Sequence, residues 1–140
     1  MCYPNELIRG IPNTSYLEND YPNARLFNEF GENPDRDDDN DEASINWQDD
    51  QGALDLIFDQ KKDNGEFQFK IGGAILSRSE LDRLCKKPQT KGLLSYERRD
   101  IPGNKYHGNI LLKKGTSKSM KNMIASAIAF CVIDVSFREE

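Results

Sequence analysis

Histidine occurs once in the 140 residues, as His107, and cysteine three times, as Cys2, Cys85 and Cys131, with no CxxC pair. These scarcities exclude whole classes of chemistry. A structural zinc site needs clustered His and Cys ligands, and HExxH needs a second histidine. A disulfide framework needs an even, closely spaced set of cysteines. Gly72-Gly73 lacks the further glycines and the lysine of a phosphate-cradling loop. Ser95, Thr116 and Ser117 lack the glycine context of a nucleophile elbow. No apolar run is long enough to span a bilayer. The longest, Met123 to Ile133, is interrupted by Ser126 and reads as a buried helix. The opening residues Met1-Cys2-Tyr3-Pro4-Asn5-Glu6 carry neither the basic nor the apolar region of a secretory signal. These absences predict a soluble, cytoplasmic protein with no membrane partner, no metal and no cofactor.

Charge is abundant but sorted. Met1 to Glu66 holds five Lys/Arg against seventeen Asp/Glu, whereas Arg78 to Lys121 holds twelve against four. The net charge of −5 conceals this. Such sorting points to polyanion binding, to an acidic interaction segment, or to two lobes that neutralise each other. The acidic half contains Asp35-Arg36-Asp37-Asp38-Asp39-Asn40-Asp41-Glu42, with no apolar residue. Nothing there offsets the entropy of ordering, so residues 31–42 are expected to form a mobile acidic loop. A calcium-loop reading fails, because Asn40 stands where glycine is required and Asn46 where a bidentate glutamate is required. A solvated loop, or a lure for a basic partner, is the better reading.

Hydrophobic patterning predicts one α+β domain over 1–140, with a largely antiparallel sheet and two or three packed helices. Residues 1–23 read as an irregular entry segment. Strands are expected at 24–30, at 43–48, at 66–71 continuing through a bulge at Gly72-Gly73 to Leu76, at 93–98 and at 109–113. An edge strand or a simple tail is expected at 134–137. Between 49 and 62 the pattern fits both helix and strand; Ala53, Leu54, Ile57 and Phe58 favour helix, capped by Asp49 or Asp50. Ser77-Arg78-Ser79-Glu80 is a capping box that starts a helix ending at Lys86-Lys87-Pro88. Met120, Met123, Ile124, Ala127, Ile128 and Cys131 share one face of a final helix.

The best candidate site is the stretch Tyr96 to Asn109. Around Pro102-Gly103 it gathers Arg98, Arg99, Lys105, Tyr106 and His107. Arginine forks suit phosphate or carboxylate, and His107 offers an acid, a base or a ligand. With Lys113, Lys114, Lys118 and Lys121 these residues also offer a basic patch for nucleic acid, with Tyr96 or Tyr106 stacking on bases. No nucleophile or paired acid is marked by spacing. The sequence therefore predicts a non-enzymatic binding or accessory protein with a charge-polarised surface, acting on another protein. The alternative is a phosphate-bearing ligand, nucleotide or nucleic acid held around Arg98–His107, with or without catalysis.

Overall fold

Leu7 and Ile8 are adjacent in sequence and both fully buried, which requires a strand covered on both faces. A computed structural model, which describes residues 4–138, places that strand in the middle of the sheet as β1 (Glu6–Ile11). A short 3₁₀ turn and a two-stranded ribbon, β2 (Leu17–Glu18) and β3 (Tyr21–Pro22), follow. Then come β4 (Asn40–Trp47), α1 (Gln51–Asp59), β5 (Gly72–Ser77), α2 (Arg78–Cys85), β6 (Leu94–Arg98), β7 (His107–Lys113), α3 (Lys118–Ala129) and β8 (Val132–Phe137). The main sheet runs β6-β7-β4-β1-β5-β8, and every neighbouring pair is antiparallel. The chain forms a single α+β domain. Among the described residues no helix is long and apolar enough to cross a membrane.

The two faces are covered unequally. On one face α2 and α3 bury Leu81, Leu84, Ile124, Ala125 and Ile128 against Leu7, Ile11, Leu76 and Leu112. On the other, α1 buries Ala53, Leu54 and Ile57 against Ile8, Ile75 and Tyr106. That second layer covers the β1–β5 half. Paired residues of an antiparallel ladder share a face. The registers Asn46↔His107, Ser44↔Asn109 and Glu97↔Asn109 therefore place polar side chains on the β4–β7–β6 half of the same face.

The local signals read from the sequence account for the helices. Ser77 Oγ accepts from the Glu80 amide at 3.3 Å, and Ser117 caps α3 in the same way through Met120. Between 49 and 62 the helix is α1, with Asp50 accepting from the Gly52 amide. Several segments differ from expectation. Of the irregular segment expected at 1–23, residues 1–3 lie outside the described residues and the rest supply β1 and the small ribbon. Residues 24–30 form no strand: Ala24–Phe27 is a 3₁₀ turn capped by Asn23. Residues 66–71 form no ladder in the main sheet. They form an arm along the end of β1, with Lys70 and Ile71 donating to the Pro12 and Ile11 carbonyls. Phe69 then lies over Gly10, where a Cβ atom would strike the ring. The expected bulge falls later in β5, between Ile75 and Leu76.

The acidic segment is tied down at Arg36. Its side chain is 4% exposed and pairs with Asp38, Glu42 and Glu97. Asn40, Asp41 and Glu42 belong to β4.

Candidate functional site

The two central strands separate. β1 pairs with β4 only at Leu7↔Trp47 and Ile8↔Asn46, although it stays paired with β5 along its whole length. Beyond that point Arg9 takes the place of the missing ladder bonds. Its Nη1 donates to the Ser44 carbonyl at 2.7 Å, and its Nε donates to the Leu26 carbonyl at 2.8 Å. Nη2 has no hydrogen-bond partner among the described residues, so the guanidinium keeps donors that the protein does not use. Burial pulls the Arg9 pKa below its ordinary value, opposed by the nearby Glu29 carboxylate. The same carboxylate lies near Tyr16 and, together with burial, raises the phenol pKa.

This separation opens a cleft of about 660 Å³, within the size range of small-molecule sites. Arg9, Tyr16, Glu29, Ser44, Asn46, Asn104 and His107 supply polar groups, and Leu56, Ile57, Phe69, Ile101 and Pro102 supply apolar walls. The 100–106 loop is fixed above it by an amide relay. Asn104 Nδ2 donates to Asn46 Oδ1 at 2.8 Å, and Asn46 Nδ2 donates to the Ala53 carbonyl at 2.9 Å. Asn104 Oδ1 accepts from the Tyr106 amide at 2.9 Å.

His107 is oriented from both sides. Its Nδ1 lies 2.9 Å from the Arg99 carbonyl oxygen, and its Nε2 lies 3.3 Å from Ser44 Oγ. A carbonyl only accepts, so Nδ1 carries the proton. In the neutral ring Nε2 then accepts from the Ser44 hydroxyl.

The five residues predicted from sequence are distributed over different surroundings. Arg98 forms a two-pronged pair with Asp49, donates to the Lys105 carbonyl at 3.1 Å and lies over the Trp47 ring. This pairing lowers the Asp49 pKa. Tyr106 is buried, and its hydroxyl donates to Asp50 Oδ1 at 2.6 Å. That bond, together with burial, pushes the phenol up to about 12. Lys105 is exposed with its ammonium over the Tyr106 ring. Arg99 is exposed and reaches the site only through its carbonyl. Of the five, His107 alone lines the 660 Å³ cleft. The wider basic patch is also divided. Lys113 and Lys114 lie at the far end of the seven-residue β7 from His107, about 20 Å away at the usual strand rise.

Sequence reading did not place Arg9 and Ser44 in the candidate site. Neither sits in a motif, and they meet across 35 residues through the Arg9 side chain's bond to the Ser44 carbonyl, where strand pairing has stopped. Among the described residues no group of three or more His, Cys, Asp or Glu is placed to hold a metal ion. No protein-family model matches the chain, and no curated protein or solved structure matches it either.

Proposed function

We propose that the chain is a small-molecule binding domain whose ligand presents one anionic group to Arg9 and an apolar body to the walls of the cleft. One observation carries this reading: an arginine with unused donors stands where the central strands part. A guanidinium with N–H groups to spare in a partly desolvated cleft is suited to a carboxylate or a phosphate. Leu56, Ile57, Phe69 and Ile101 offer apolar contact to the rest of the molecule. Glu29 and Asp59 share the lining. They work against a polyanion and favour a singly charged ligand over nucleic acid. Calorimetric titration with benzoate and with phenyl phosphate tests the reading. Binding that is lost in Arg9→Gln and kept in Arg98→Gln supports it. Absence of binding to the native protein at millimolar concentrations overturns it.

A protein partner is the second reading, favoured by a different surface. Phe130 is 90% exposed, and Ile133 and Phe137 on the edge strand β8 are 51% and 47% exposed. An open sheet edge beside apolar side chains suits an extended segment that adds as a further strand. Under either reading we place the protein in the reducing cytoplasm, where free thiols such as Cys85 and Cys131 persist.

A further inference from the structure

We propose that Ser44 and His107 form a nucleophile and general-base pair, and that the ligand of the cleft is a carboxylic ester bearing the anionic group that meets Arg9. This rests on the binding reading above and adds a reaction to it.

Geometry comes first. The Arg99 carbonyl fixes the proton on Nδ1, which leaves Nε2 to accept from Ser44 Oγ at 3.3 Å. Catalytic Ser–His hydrogen bonds are commonly of this length and tighten when substrate binds. The pair is held by two ladder-bonded strands, since Ser44 and His107 are diagonal neighbours in the register Ser44↔Asn109 and Asn46↔His107. Ser44 is exposed and both residues line the cleft, so an ester has access to the hydroxyl. The guanidinium of Arg9 is bonded to the carbonyl of Ser44 itself. Both residues line the same cleft, Arg9 from the gap between β1 and β4.

The step balances without a co-reactant other than water. Ser44 Oγ forms a bond to the ester carbon while its proton passes to His107 Nε2. The tetrahedral adduct collapses by breaking the bond to the alkoxy oxygen, and the leaving alcohol takes the proton from Nε2. Water then attacks the acyl-Ser44 carbon and gives a proton to Nε2. Expulsion of the carboxylic acid returns that proton to Ser44 Oγ. The orienting group on Nδ1 is a neutral carbonyl, which stabilises the imidazolium less than a carboxylate does. Slow turnover and accumulation of the acyl form are expected.

The test uses 4-acetoxybenzoate, an acetate ester on the same anionic ring as the binding probe benzoate. Incubation of the native protein should add one acetyl group by intact mass, located at Ser44 by peptide mapping, and release 4-hydroxybenzoate. Ser44→Ala should abolish the adduct. His107→Gln should slow acetylation on the order of a hundredfold. Benzoate binding with no acetyl-Ser44, or with acetylation only at lysines, overturns the pair and leaves the binding cleft standing. Failure of benzoate to bind overturns both.

Discussion

Replacing Arg36 with methionine removes a cation from the most densely paired point of the sheet surface. Arg36 Nε lies 2.8 Å from Glu42 Oε2 and Nη1 lies 2.9 Å from Asp38 Oδ2, with Nη2 on Glu97. Burial works against its charge, but the bonds from Glu97, Glu42 and Asp38 outweigh it and hold the pKa above the ordinary value. Methionine keeps the apolar stem. It leaves Glu42 and Glu97, which share the Asn109 amide, facing each other with no cation between them. Breaking a buried pair costs about 3–5 kcal/mol. Solvent screens Glu42 and Glu97, which are 18% and 27% exposed, so the lower end applies, about 3 kcal/mol. For a chain of this size that is a fall in Tm of about 10 °C. Urea unfolding of both proteins at pH 7 measures the difference. Burial would raise the Glu97 pKa, but Arg36 and Asn109 lower it overall from 4.5. A group depressed in the folded state contributes above its unfolded pKa and loses that contribution as pH falls through the folded value. The gap between native and variant should therefore narrow below pH 4.5. A loss under about 1 kcal/mol, the scale of an exposed pair, or a gap that acid leaves unchanged, refutes the reasoning.

Other outcomes follow from single contacts. Ser77→Ala removes the acceptor of the Glu80 amide and should cost about 1 kcal/mol in urea unfolding; no change would show that α2 needs no cap. Gly108→Ala should cost about 1–3 kcal/mol, because its Cβ would strike the Glu97 carbonyl and Trp47 Nε1. Emission from Trp47, the only tryptophan, should shift to the red, and an unchanged spectrum with unchanged stability would contradict the packing. Burial pushes the thiol of Cys85 up to about 12 and that of Cys131 up to about 11. At pH 8 both should react with a disulfide reagent only as the protein unfolds, and rapid labelling of the native chain at either position would contradict this.

Elements with a local code were legible in the sequence. The Ser77–Glu80 box, the buried Ile124–Ile128 face of α3 and the acid-capped start of α1 each carry their signal within a few residues, although Met123, read onto that face, is exposed and Cys131 lies past the helix end. β1 was not legible, because a strand buried on both faces shows no alternation, and Arg9 and Gly10 interrupt its apolar run. The 66–71 segment misled for the opposite reason. Phe67, Phe69 and Ile71 alternate as a strand does, but they serve an arm that covers Gly10 rather than a ladder. At 24–30 the apolar residues suggested a strand, although Asn23 was already a cap signal. His107 could be nominated as the only histidine. Its partner Ser44 could not, since it reaches His107 through the β4–β7 register, and neither could Arg9, which enters the cleft where β1 parts from β4. The charge sorting was legible, and Arg36–Glu97 and Asp49–Arg98 join the acidic and basic stretches in pairs.

The central claim is that an anion enters the cleft between β1 and β4 and meets Arg9. Nuclear magnetic resonance of the ¹⁵N-labelled protein during titration with benzoate tests it most directly. Saturable shifts of the Arg9 Nε–H resonance and of the Ser44, Asn104 and His107 amides, with Lys113 and Lys114 unmoved, are the predicted result. Shifts confined to Lys105, Arg99 or the Lys113–Lys121 end, with Arg9 unmoved, would contradict it.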